Sequence, residues 1–269
     1  MTGSQVSTGY APVNGMRMYY EIHGAGPPLV LLHGSFYTIE LWGDILPALA
    51  SHHQVIAVEM QGHGRTTDID RPLKYEYLAD DVAALMDYLE LVEADVFGYS
   101  MGGGVALQLA MRHPARVRKL ALLSAHYRAD GYYPESIAAI AAITPELFAG
   151  GPLDEIYQRV APTPDALPRL VEKIKAMEGE NYAWSAADVR AIIAPALLIY
   201  ADSDGMTPEH MVELFRLLGG GVPGDLAPMP ASQLAIVPGA NHVSLASERY
   251  GDWLPWVERF LTSPPPDAS

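Results

Sequence analysis

Three residues of this chain have the types and the order for nucleophilic acyl chemistry: Ser100, Asp204 and His242. Ser100 lies in Gly98-Tyr99-Ser100-Met101-Gly102, where an apolar run ends and an Ala/Leu-rich helical pattern begins. Gly-x-Ser-x-Gly at such a junction puts the hydroxyl on a strained strand-to-helix turn, and glycines flank it because side chains would collide across the bend. The helix that follows leaves the Met101 backbone N–H without an intrahelical acceptor, free to bind an oxyanion. A serine hydroxyl is a poor nucleophile at neutral pH and needs a base, itself oriented by an acid. His242 closes Pro238-Gly239-Ala240-Asn241-His242, and Asp204 lies in the loop Asp202-Ser203-Asp204-Gly205-Met206-Thr207-Pro208, which carries a second carboxylate in Asp202. In His33-Gly34-Ser35-Phe36, Gly34 allows the backbone close to a ligand, and the Ser35 N–H is the candidate second oxyanion donor. His33 and His63, each in a glycine-bearing loop, read as hydrogen-bonding braces rather than as catalytic bases.

The elements that must position these residues are legible from periodicity. Tyr10 to Val13 and Met16 to His23 flank Asn14-Gly15, a pair that tolerates positive φ and predicts a type I′ hairpin. Leu29-Val30-Leu31-Leu32, Val55-Ile56-Ala57-Val58, Leu120-Ala121-Leu122-Leu123, Ala196-Leu197-Leu198-Ile199-Tyr200 and Leu234-Ala235-Ile236-Val237 read as strands buried on both faces. Helical patterns intervene; in one, Leu78, Val82, Leu85, Met86 and Leu89 share a face and Asp80, Asp81 and Asp87 are placed on the other. This alternation predicts an α/β fold with a mostly parallel sheet whose functional loops gather at the strand C-terminal ends, where Ser100, Asp204 and His242 all fall. Between Ser124 and about Arg190 the alternation stops. Short helical pieces around Ser136 to Ile143, Leu153 to Val160 and Leu167 to Met177 predict a helical insertion over Ser100. Its aromatics, among them Tyr132, Phe148, Tyr182 and Trp184, are candidates for lining a pocket or for packing the insertion.

Composition narrows the classes. The 269 residues are 49% hydrophobic and 18% charged, and 17 Lys+Arg against 32 Asp+Glu give a net charge of −15. Such an acidic chain is a poor partner for nucleic acid or an anionic membrane. With no cysteine there is neither a disulfide nor a thiolate metal site. No apolar run reaches membrane-spanning length, and Met1 to Gln5 lacks the start of a signal peptide, so a soluble cytoplasmic protein is expected. No metal-ligand spacing such as H-E-x-x-H occurs, and neither metal nor organic cofactor is expected.

From about Tyr10 to Leu261 the chain resembles the α/β-hydrolase superfamily. His33-Gly34 resembles its oxyanion loop, Gly98 to Gly102 its nucleophile elbow, Asp202 to Pro208 its acid loop and Pro238 to His242 its histidine loop. In that alignment Asp204, four residues before Pro208, takes the acid position, with Asp202 as the reserve. Glu59, Gln61 and Thr66 depart from the common Asp, Arg and Ser. The resemblance implies a twisted sheet flanked by helices, a core formed by residues 1–124 and 191–269, and a small helical cap at 125–190. It also implies Ser100, Asp204 and His242 as the triad, with Ser35 and Met101 giving the oxyanion hole. The expected activity is hydrolysis of small to medium carboxylic esters or lactones, with a small-molecule substrate and no bar to a homodimer. A serine nucleophile disfavours the dehalogenase and epoxide-hydrolase chemistries, which need a carboxylate. Hydrolytic C–C cleavage, a cofactor-free perhydrolase-like reaction and a non-catalytic ligand receptor are the alternatives.

Overall fold

Strands and helices alternate through most of the computed structural model, which describes residues 6–264; Met1–Gln5 and the last five residues lie outside it. The strands are β1 (Ser7–Val13), β2 (Met16–His23), β3 (Pro28–Leu32), β4 (Gln54–Val58), β5 (Ala94–Tyr99), β6 (Val117–Leu123), β7 (Ala196–Ser203) and β8 (Gln233–Asn241). They form one sheet in the order β1-β2-β4-β3-β5-β6-β7-β8. β1 and β2 pair antiparallel around Asn14 and Gly15, both at positive φ as the hairpin requires, and β2 joins β4 antiparallel. All remaining pairs are parallel.

The helices are α1 (Ile45–Ala50), α2 (Tyr75–Tyr88), α3 (Met101–Arg112), α4 (Pro134–Ala141), α5 (Pro152–Val160), α6 (Leu167–Gly179), α7 (Ala186–Arg190), α8 (Pro208–Leu217), α9 (His242–Ser247) and α10 (Tyr250–Thr262). Side chains of the central strands alternate between two apolar layers. Val30, Leu32, Val96, Leu120, Leu122 and Leu198 pack with α2 and α3, whereas Leu29, Leu31, Phe97, Ala121, Leu197 and Ile199 pack with α1 and α10. Burial on both sheet faces is the reason these strands read as unbroken apolar runs. Between β6 and β7 the chain forms α4 to α7 and adds no strand to the sheet. Among the described residues, no helix is long and apolar enough to cross a membrane.

One helix face departs from expectation. Asp81, placed by periodicity on the solvent side of α2, is fully buried. Arg71 donates to both of its carboxylate oxygens, at 3.1 and 2.5 Å, and Asn14 Nδ2 donates at 2.8 Å. Periodicity assigns a charge to water by default, but the hairpin turn and the loop before α2 fold over this position and supply its partners. Breaking one side of a buried pair strands the other charge, so Asp81→Ala is expected to lower unfolding stability by about 3 kcal/mol. A urea midpoint equal to wild type would show that Arg71 is satisfied without it.

Candidate active site

The turn after β5 is as tight as its letters predict. Ser100 has φ 53° and ψ −116°, a backbone conformation rare for a residue with a side chain. A Cβ on Gly98 would lie 2.2 Å from the Gly102 carbonyl oxygen, and one on Gly102 would lie 2.3 Å from the Leu32 carbonyl oxygen. The glycines therefore let β5, α3 and β3 close on one another. The turn is held by Ser100 N–H donating to Leu123 O at 2.8 Å and by Gly103 N–H donating to Ser100 O at 2.8 Å. Met101 is the first residue of α3, so its N–H has no intrahelical acceptor.

The two remaining candidates come from the ends of β7 and β8. Asn241 caps α9 through a reciprocal capping box, which fixes His242 in the first turn. His242 Nε2 stands 3.0 Å from Ser100 Oγ, and Nδ1 stands 2.8 Å from Asp204 Oδ1. The imidazole also packs near the Tyr99 ring, whose hydroxyl donates to the His242 carbonyl oxygen at 2.9 Å. Asp204 is 5% exposed. Gly205 N–H donates to Oδ1 at 2.7 Å, and Ser124 Oγ donates to Oδ2 at 2.5 Å. Burial would raise this carboxyl's pKa, but the His242 hydrogen bond and charge and the Ser124 hydroxyl hold it below the ordinary aspartate value. The structure thus brings Ser100, His242 and Asp204 into one hydrogen-bonded line. Asp202 lies outside that line. Its carboxylate accepts from Gly239 N–H at 3.0 Å and Ala240 N–H at 3.4 Å, bracing the loop that carries His242.

Ser35 lies beside the elbow, because a Cβ on Gly34 would touch the Tyr99 ring at 2.9 Å and Ser100 Cβ at 3.4 Å. Its N–H has no acceptor among the described residues. The neighbouring histidines are braces. His33 is fully buried, with Nδ1–H on Gly34 O at 2.8 Å and Nε2 accepting from Met60 N–H at 3.2 Å. His63 holds Gln61 O through Nδ1 and accepts from Phe36 N–H at 3.3 Å, and burial depresses its pKa to about 4. The three departures from the family pattern make their own contacts. Glu59 is buried against Arg65, Gln61 binds Arg71 and Asp68, and Thr66 accepts from Tyr19 N–H and donates to Glu59 O.

Ser100, His242 and Ser35 share a cavity of about 460 Å³. Its far wall is apolar and comes mainly from α4 and the segment after it, including Ile140, Ile143, Leu147 and Phe148. Of the insertion's aromatics, Tyr132 and Phe148 line this space. Tyr182 and Trp184 pack on Tyr75, and Tyr127 stacks on His210. Two contributors escaped sequence reasoning. Ser124 follows β6 and was legible only as a strand end. Glu178 on α6 lines the cavity. Its signal was its position four residues after Ile174, on the stripe where Val171, Ile174 and Met177 are buried.

A family model for the alpha/beta hydrolase fold matches residues 27–157. The chain is 34% identical over 212 residues to a pimeloyl-[acyl-carrier protein] methyl ester esterase of Neisseria meningitidis, covering 71% of this chain and 80% of that protein. It is 40% identical over 116 residues to a 2-hydroxymuconate semialdehyde hydrolase of a Pseudomonas species, 40% of either chain. The crystal structure of an enol-lactonase from Burkholderia xenovorans superposes with a TM-score of 0.71 at 25% identity, over 94% of this chain and all of that one. An eight-stranded, mostly parallel sheet flanked by helices and relatives that are themselves hydrolases lead to one conclusion: the chain belongs to the α/β-hydrolase superfamily.

Proposed function

We propose that the protein is a serine hydrolase of small to medium carboxylic esters or lactones. The observation that carries this reading is the line Ser100 Oγ, His242 Nε2, His242 Nδ1, Asp204 Oδ1, with steps of 3.0 Å and 2.8 Å at the imidazole, opening on a largely apolar cavity. His242 Nε2 takes the hydroxyl proton as Ser100 attacks the carbonyl carbon. Asp204 holds the Nδ1–H tautomer and stabilises the imidazolium. Negative charge then develops on the carbonyl oxygen, which the backbone N–H groups of Met101 and Ser35 receive, each worth roughly 3 kcal/mol in comparable sites. The imidazolium returns its proton to the leaving alcohol, and water activated by His242 hydrolyses the acyl-enzyme. Residues 125–190 act as the cap that sets acyl size.

The test is hydrolysis of p-nitrophenyl esters from acetate to palmitate. Turnover is expected to peak at short or medium chains, because the apolar wall of Ile140, Ile143, Leu147 and Phe148 closes a cavity of about 460 Å³. A rate that climbs to palmitate would overturn the size assignment. A Ser100 that reacts with a fluorophosphonate but turns over no ester would move the assignment to C–C hydrolysis. A Ser100 inert to both would favour a ligand receptor.

A further inference from the structure

Glu178 is an anomaly in an apolar cavity. Glu178 lines the same space as Ser100 and His242 with only 7% of its side chain exposed, and its Oε2 is buried. Oε1 accepts from Tyr75 Oη at 2.9 Å and from Ser35 Oγ at 3.4 Å, while Oε2 has no hydrogen-bond partner. No Lys or Arg nitrogen lies within 4.0 Å of it among the described residues; the ring at 3.8 Å belongs to His126. That ring is no cation, since burial depresses its pKa to about 3. Nor is its Nε2–H free for Glu178. Tyr75 gives its proton to Glu178, so the Tyr75 oxygen accepts from His126 Nε2–H at 3.1 Å, leaving Nδ1 to accept from Tyr132 Oη at 3.0 Å. Lys175, also at the cavity, has its Nζ 3.5 Å from Glu172.

A carboxyl held this way is expensive. Burial pushes its pKa up to about 7, against the pull of the Tyr75 and Ser35 hydroxyls and of His242. If its only task were to tie α6 to Tyr75, a neutral amide would serve with less desolvation. It also accepts from the Ser35 hydroxyl, whose residue offers the candidate oxyanion N–H, so in its ionised form an uncapped charge there opposes the charge that grows on the reacting carbonyl oxygen. A bound hydrogen-bond donor would pair the free oxygen and disperse part of that charge.

We infer that Glu178 is a specificity residue that receives an O–H or N–H donor carried by the substrate beside its scissile carbonyl, so that the preferred substrates are hydroxy- or amino-substituted acyl compounds rather than plain alkanoates. The apolar wall holds the rest of the acyl chain. This inference rests on the ester-hydrolase reading of the same site. A site built to hydrogen-bond a substrate group discriminates strongly against an analogue lacking it, because its own polar atom is then left unpaired.

The experiment compares isosteric phenyl esters, lactate with 2-methylpropanoate and 3-hydroxybutyrate with 3-methylbutyrate, in each of which a hydroxyl replaces a methyl group. In the wild type, kcat/KM for at least one hydroxyl member is expected to exceed that of its methyl partner by about 10- to 100-fold. Glu178→Met removes the acceptor and should bring the ratio to about 1 or below, by lowering the hydroxyl ester and raising the methyl ester. Glu178→Gln keeps an acceptor without the charge and should give an intermediate ratio. A merely structural Glu178 would move both members of a pair together. A wild-type preference for the methyl members, or a ratio unchanged by both substitutions, overturns the inference. Calorimetric binding of the same esters to Ser100→Ala protein reads the preference without turnover. Loss of hydrolysis for every ester would therefore count against the hydrolase reading, while equal binding of hydroxyl and methyl members would count against Glu178.

Discussion

Ser100→Ala protein is expected to lose about 10⁵- to 10⁶-fold in kcat on its best ester while keeping the wild-type unfolding midpoint. The size of the loss follows from the geometry. Among the described residues the hydroxyl is the group that hydrogen-bonds His242 Nε2, at 3.0 Å, and alanine leaves the imidazole with only water to activate. What survives is whatever binding and the two oxyanion N–H groups supply. The fold should be indifferent, because the strained φ of 53° and the Leu123 carbonyl contact belong to the backbone. Activity within about 10-fold of wild type would place the nucleophile elsewhere and remove the basis of the proposed mechanism.

Asp204→Asn is expected to cost about 10³- to 10⁴-fold in kcat, whereas Asp202→Asn should stay within about 3-fold of wild type. Gly205 N–H, 2.7 Å from Oδ1, requires an acceptor there, so the amide oxygen would take that place and its NH₂ group would face Ser124. Shape and the Nδ1 contact are then kept, and what disappears is the long bond from Ala201 N–H and the buried negative charge that stabilises the imidazolium during proton transfer. Asp202 accepts from two backbone N–H groups at the surface, a task an amide oxygen can perform. The reverse ranking of the two variants, measured at saturating substrate, would transfer the acid to Asp202 and leave the Asp204 hydrogen bonds as a brace.

Much of this protein is written locally. Gly98 and Gly102 are needed because backbone atoms pass within 2.3 Å of where their Cβ atoms would be, and that constraint acts between near neighbours and the adjacent strand. The hairpin at Asn14-Gly15, the five buried strands and the order Ser, Asp, His are likewise local or linear signals, so periodicity and spacing were enough to set the fold class and gather the three candidate residues at one sheet edge. The preference for Asp204 over Asp202 came from the family resemblance, since the loop itself offers two carboxylates; Asp204 Oδ1 stands 2.8 Å from His242 Nδ1.

Other features were decided only when distant segments met. Asp81 looks solvent-facing on its helix and becomes buried because Asn14, 67 residues earlier, and the loop carrying Arg71 close over it. Ser124 is an ordinary strand-end serine until β7 brings Asp204 within 2.5 Å of it. Glu178 is one more acidic residue on a polar-looking helix until α6 docks and puts it against Tyr75, 103 residues away. The physical reason is common to all three. Helical and strand periods record which way a side chain points from its own backbone, but the dielectric and the partners it finds there are supplied by other elements. A sequence therefore fixes the chemistry it can offer at a turn, and tertiary packing alone decides which charges are buried beside it and what substrate those charges are suited to meet.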